Sequence, residues 1–487
     1  MPRIFRKILI SARKAIALDT RALSLFRIGI ALVLLADLAI RAQDIGLFYS
    51  DDGAVPRSLV RFAAWNPVYF SLHMFSGNVM YIAFLFSLSA VFALLLLAGY
   101  RTRLFTILSW LMLVSLHNRN PFILQGGDDL LRNALFWAMF LPLGRHYSAD
   151  AFSGRAQKGK RFRFTGPAAA GYILLIVSVY FFSALQKHSA EWETEGSALY
   201  YALSMDQVAL PAGKLLYPYP VLLKILTHLV YVIELLAGIM LLVYRRGQRW
   251  RLAGIALLAG LHIGIGFTIY VGLFFIIGLV TLLALLPPAV MDRFDRLCKR
   301  FFPWKLRREK QKTNEIAPPA FLRTGIRWFL SATVLYCFAW NFINIPYFPY
   351  KLDPPAKIPA ALLRIDQNWG MFAPKVFKDD GWYMLEGILP DSSLIDLNRG
   401  GAAIDTNKPA SIVSMFPNDR HRKYSENLLM TFNDYLRPFY CYYVMKKWNA
   451  AHPDRRIITL RLVYMKEVSL PDYETAPVER CVLSECR

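Results

Sequence analysis

The chain has 487 residues, 55% of them hydrophobic and 19% charged, with a mean hydropathy of +0.33 and a net charge of +23. Several continuous apolar runs match the ~20 residues a helix needs to cross a bilayer, which excludes an ordinary soluble fold; their lack of alternation argues against a β-barrel. The surplus of basic residues sits in short loops between apolar runs, the pattern of cytoplasmic membrane loops, so no nucleic-acid partner is expected.

Residues 1–21, "MPRIFRKILISARKAIALDTR", are basic and weakly amphipathic, with no small-residue cleavage site, and read as a cytoplasmic segment. A transmembrane domain over 22–290 follows. Its candidate spans lie near Ala22–Ala42, Val79–Gly99, Leu104–Leu116, Leu130–Leu143, Ala168–Gln186, Val221–Tyr244, Leu252–Thr268 and Val271–Leu286. A basic cytoplasmic loop (291–320) leads to a last helix within 321–345, near Ile326–Ile343. The expected fold is an all-α polytopic bundle of about nine transmembrane helices followed by a small extracytoplasmic α+β domain, 346–487.

The loops set the orientation. Segments 144–164, 245–251 and 291–312 are basic, whereas 117–129 and 187–220 carry acids, amides and aromatics. One assignment satisfies all of them, with the amino terminus cytoplasmic and the carboxy terminus outside. In the outer domain, 381–390 and 455–470 read as strands, 391–401 as a hairpin or turn, and 424–451 as helix with a break at Pro438. Cys441, Cys481 and Cys486 lie there, enough for one disulfide, and the pairing is open. No phosphate loop, dinucleotide fingerprint or metal-ligand spacing is present.

Polar and ionisable groups then converge at the outer end of the bundle. They are His117, Asn118, Arg119 and Asn120 after the third span, Asp128, Asp129 and Arg132 at the fourth, Lys187 and His188 after the fifth, His228 in the sixth and His262 in the seventh. Such residues in a membrane usually face the bundle interior and mark function. Plainer readings stand beside this. Lys187 fits a snorkelling anchor or a pair with Glu191; His262 fits an interhelical hydrogen bond in "GLHIGIG"; His228 and Glu234 fit structural contacts. Arg27 reads as a snorkelling arginine, and Asp37 with Arg41 as an i,i+4 pair. An ordinary lysine has a pKa of about 10.4 and is no base at neutral pH; apolar surroundings favour the neutral amine, which is one.

Five stretches, "LFRIGIALVLLADL", "HNRNPFILQGGDDLLRNALFWAMFLPLG", "YFFSALQKHSAEW", "HIGIGFTIYVGLFF" and "QNWGMFAP", together resemble the horizontally transferred transmembrane family, whose best-known member is the vitamin K-dependent gamma-glutamyl carboxylase. The resemblance covers residues 20–290 and the last short motif. It implies that Lys187 is the catalytic base, with Trp192 at the family tryptophan and His262 near the quinone head. The candidate quinone contacts are Asn118, Asn120, His117, Trp192 and His228, although the family's Asn-Asn-His order is not kept in "HNRNP". The implied reaction uses reduced vitamin K (menaquinol or phylloquinol) and O2, makes an epoxide, and abstracts a proton from a peptide glutamate that then adds CO2; no metal is implied. The implied partners are the bilayer, a quinone and a secreted peptide, and the implied location is a bacterial inner membrane. The outer domain is much smaller than the propeptide-gripping region of the animal enzyme, which leaves the carboxylation half open. Two other classes stay in view: a non-redox factor for maturation or export of a secreted peptide, and a small-molecule transporter.

Overall fold

The computed structural model describes residues 11, 13–154, 162–243, 248–301 and 320–487. Parts of the basic stretches behind the orientation, residues 1–10, 155–161, 244–247 and 302–319, lie outside the described residues, and so do the expectations placed on them.

A short strand β1 (Leu18–Asp19) leads into helix α1 (Thr20–Ala42), whose first turn is closed by the Asp19 carboxylate accepting from Arg21 N at 2.9 Å. Helix α2 (Val79–Ala98) is capped by Asn78 and ends at Gly99, whose φ of 69° suits a residue without Cβ. Helix α3 (Thr102–Arg119) returns beside it, and α4 (Gly126–Ala138) starts with Asp128 and Asp129 in its first turn, where acids favour the helix dipole. Strand β2 (Arg163–Phe164) pairs with β1, and α5 (Pro167–Gln186) follows. Then come α6 (Pro220–Met240), α7 (Arg249–Thr268), α8 (Phe274–Leu283), α9 (Pro288–Phe301) and α10 (Ala320–Ile343).

Among the described residues, six helices, α1, α2, α5, α6, α7 and α10, are long and apolar enough to cross a bilayer; α8 with α9, bent by 95°, makes up to seven. The other expected spans are helical but do not meet that standard. α4 has 13 residues and α8 has 10, and α3 spends its last turn on His117, Asn118 and Arg119. Residues 291–301, expected in a loop, continue α9, where Arg21 holds Asp292 and Asp295 at 2.8 Å each.

α5 is the centre of the bundle: 78% of its apolar window is buried, against 28% for α6 and α7. Arg27 does not snorkel. It is fully buried and donates to the carbonyls of Leu96 (2.6 Å), Leu97 and Tyr147, the first two in the last turn of α2.

The C-terminal part is a five-stranded antiparallel sheet in the order β5-β4-β3-β6-β7: β3 (Asp379–Ile388), β4 (Leu394–Asp396), β5 (Ala402–Ala403), β6 (Thr459–Val468) and β7 (Glu479–Cys486). Two helices, α11 (Asp419–Leu429) and α12 (Leu436–Ala451), cross over between β5 and β6. The expected break at Pro438 falls earlier, at 430–435. Pro438 sits in the first turn of α12, where no intrahelical N–H is needed. Cys441 is bonded to Cys486, and Cys481 is free.

The sheet domain does not hang free. Trp369 of "QNWGMFAP" is fully buried in the same core as Leu131, Ala134 and Ile173 of the bundle. Phe48 and Ile123 of the bundle loops share a second core with Tyr424, Leu436 and Leu460.

Candidate functional site

The α5 helix ends at Gln186, and Lys187 leaves it with φ −80° and ψ 71°. Its side chain folds back along the helix. Nζ donates to Ser183 Oγ at 3.0 Å, one turn earlier, and to the Glu234 carboxylate of α6. The Trp192 ring lies over Nζ with its centroid at 4.8 Å, and Trp192 Nε1 donates to the Phe372 carbonyl at 2.9 Å. A segment of the sheet domain thus holds the cover on the lysine. Lys187 is 3% exposed, so the snorkelling reading fails. The pair with Glu191 fails too, because Glu191 binds Lys378 at 3.2 Å. Against the cost of burial, the Lys378 ammonium holds the Glu191 carboxyl below its ordinary range. His188 turns away, exposed and paired with Glu193 at 2.6 Å.

The same face of α5 carries Tyr180 seven residues earlier, about 10 Å along the axis from Lys187. Tyr180 Oη and His262 Nε2 of α7 are 2.7 Å apart. The His262 ring packs on Gly278 of α8, where a Cβ would fall 2.1 Å from it, and edge-on against Phe274. His262 Nδ1 is buried without a hydrogen-bond partner among the described residues. Lys187, Ser183 and Glu234 therefore form one buried polar group, and Tyr180 with His262 forms a second, two helical turns away on the same face of α5.

The other sequence candidates lie elsewhere. Asn118 Nδ2 donates to the Phe70 carbonyl (2.8 Å), and Asn120 donates to Phe48 O (2.9 Å) while capping Phe122 N (3.1 Å). Both hold loops. His117 is fully buried with Nε2 3.5 Å from Asp128, inside a charge cluster of Asp37, Arg41, Asp128 and Arg420. His228 is half-buried beside Gly196. So Lys187 and Trp192 meet, and His262 binds Tyr180 two turns away on the same α5 face; Asn118, Asn120, His117 and His228 lie apart from both. The expected Asp37–Arg41 pair is present at 2.8 Å.

Sequence reasoning passed over Tyr180 and Ser183, although their i, i+3, i+7 spacing with Lys187 was visible inside an apolar run. It took Glu234 as structural, and Arg420 gave no local signal.

Two acidic groupings have donor atoms close enough to share an ion: Asp37, His117 and Asp128, and Asp206, Asp380 and Glu467. Side-chain cations already occupy both. Arg41 and Arg420 bind the first, and Lys408 bridges Asp206 (2.7 Å) and Glu467 of the second. Adding a divalent ion would set like charges together, so neither set suits a metal.

The opposite face of α5, with Gly171, Leu175 and Ser178, borders a crevice against Cys337 of α10 and Gln367, with about 10 Å³ of free space. That is room for roughly one water.

Comparison with family models, with curated proteins and with solved structures finds no match for this chain.

Proposed function

We propose that the chain is a membrane-embedded, quinol-dependent enzyme in which Lys187 is the base that deprotonates a reduced naphthoquinone (menaquinol or phylloquinol). The observation that carries this reading is the burial of Lys187 beneath Trp192, on the α5 face that also holds Tyr180 against His262. Together with O2, the quinol supplies a base strong enough to take a carbon-bound proton and is left as its epoxide. The protein's part is to bind, deprotonate and keep water away. The orphaned His262 Nδ1 suits a hydrogen bond to a phenolic oxygen, and the Trp192 cover excludes solvent from Lys187. A secreted peptide, reached from the side of the sheet domain, is the proton donor in this reading, with CO2 the electrophile that follows. Placement in a bacterial inner membrane, with the sheet domain outside, belongs to the same proposal.

A second reading draws on one observation. A buried Lys187–Glu234 pair between two long apolar helices also suits a proton-coupled small-molecule transporter.

The test uses the full chain in lipid nanodiscs with menaquinol and O2, and reads the quinone epoxide by mass spectrometry. Oxygen-dependent epoxide supports the enzyme. Its absence from folded protein, even with peptide and bicarbonate supplied, counts against it and directs attention to flux in liposomes.

A further inference from the structure

Lys187 poses a problem of charge. A lysine against a carboxylate is normally an ammonium, and an ammonium accepts no proton. Both partners here are buried, with Lys187 3% and Glu234 7% exposed. In such surroundings separated charges are costly, and a neutral amine beside a neutral acid differs from the ion pair by one proton moved along one hydrogen bond. The surroundings serve either form. Ser183 Oγ, 3.0 Å from Nζ, accepts from an ammonium and, by turning its hydroxyl, donates to an amine. The Trp192 face favours the cation and so favours return of the proton.

We infer that Glu234 is the positioning residue that turns Lys187 from an ammonium into a base, by holding the lysine's proton. One N–H bond at Nζ breaks, and one O–H bond forms on the Glu234 carboxylate. The freed lone pair on Nζ then takes the proton of a phenolic hydroxyl, whose oxygen keeps the bonding electrons. The site ends with an ammonium, a carboxylic acid and a phenolate. Its net charge is zero before and after, and nothing is oxidised in this step. Without Glu234 an ammonium sealed beneath Trp192 would have no acceptor beside it for its proton. The inference rests on the enzyme reading above and adds to it the acceptor of the lysine proton.

The test uses the full chain in nanodiscs, with 2-methyl-1,4-naphthalenediol as the probe. Infrared difference spectra taken without oxygen read proton movement alone. A carboxylic-acid carbonyl band is expected when the diol is added to the wild type, shifting in D2O. It is expected to be missing from Glu234→Gln, and from Lys187→Arg because arginine keeps its proton. With oxygen admitted, Glu234→Gln should slow epoxide formation by about a hundredfold or more, the contribution of a positioned acid–base group, and change the shape of the pH–rate profile. Glu234→Asp should retain the band and most of the rate. No acid band in the wild type, or a Glu234→Gln protein with wild-type rate and profile, overturns the inference. A band without epoxide supports the proton transfer and removes the enzyme reading; epoxide without a band does the reverse. Should Glu234→Gln fail to fold, the Glu234→Asp and Lys187→Arg spectra decide.

Discussion

Arg420 of the sheet domain reaches Asp128 at the mouth of the bundle, with 2.5 Å between Nη1 and Oδ2. Its other nitrogen binds Asp37 at 2.6 Å, so two carboxylates on different helices converge on one guanidinium. Arg41 shares both carboxylates, and the four side chains balance in charge. This cluster fastens the domain that also holds Trp192 over Lys187.

Removing Arg420 leaves Asp37 and Asp128 with a single cation. Arg420→Ala should destabilise the folded chain by about 3–5 kcal/mol, the range for breaking a buried pair. Arg420→Lys should recover only part of this, because a compact ammonium does not reproduce the planar five-donor fork of the guanidinium. Thermal unfolding in nanodiscs gives the stability, and limited proteolysis shows whether the sheet domain is released. An alanine variant of wild-type stability would mean the cluster is not the fastening.

Gly278 is needed for the placement of His262. A Cβ there would lie 2.1 Å from the imidazole, a flat ring wedged between Tyr180 and Phe274. Gly278→Ala should cost about 1–3 kcal/mol, as overpacking does, and should lower epoxide formation. Gly264, on the same helix as His262, faces open space. Gly264→Ala should be neutral or stabilise by up to about 1 kcal/mol, since alanine is the better helix former.

The disulfide gives a prediction independent of function. Alkylation of unreduced, unfolded protein followed by peptide mapping should modify Cys298, Cys337 and Cys481 and leave Cys441 linked to Cys486. Cys441→Ser should lower stability by about 2–4 kcal/mol, given the 45-residue separation it closes. A recovered Cys481–Cys486 or Cys441–Cys481 peptide would contradict the pairing.

Asp380 gives a pH dependence. Burial, the largest cause, pushes its carboxyl up to about 6, against hydrogen bonds from Asp206 N and Gly381 N; nearby are Asp206, Lys408 and Glu467. The folded state therefore binds this proton more tightly than the unfolded one. Its contribution is full below about pH 4 and is lost as pH rises through about 6. Asp206 runs the other way: Lys408 and Lys214 hold its carboxyl low against burial. The difference between wild type and Asp380→Asn isolates the first effect. The melting temperature of the wild type should fall relative to the variant between about pH 4 and pH 7. Parallel curves would show that Asp380 does not titrate there.

Much of this was legible in the chain because the signals are local. Apolar runs marked helices at all nine expected places, strand-forming composition marked β3, and alternation marked β6. The loop "QKHSAEW" pointed to Lys187 and Trp192, which do meet. Span number was harder to read, because α4 and α8 are apolar but short, and only the folded chain shows where each stops. The partner of Lys187 was misjudged for a different reason. Glu191 is near in sequence, whereas Glu234 is 47 positions away and approaches only when α6 packs on α5. His117, Asn118 and Asn120 were placed at the right end of the bundle but in the wrong cluster. A sequence gives depth along a helix, but not the direction each side chain faces. Arg420 was unreadable, since an arginine on a charged helix resembles any solvated one until its carboxylates are seen.

The most direct test of the central claim compares wild type with Lys187→Arg in nanodiscs, given menaquinol and O2, with epoxide read by mass spectrometry. Arginine preserves the charge pair with Glu234 and hence the fold, but it does not give up its proton at any working pH. Epoxide from the wild type and none from a folded Lys187→Arg protein is the predicted result. Equal epoxide from both, or from neither, would contradict the assignment of Lys187 as the base.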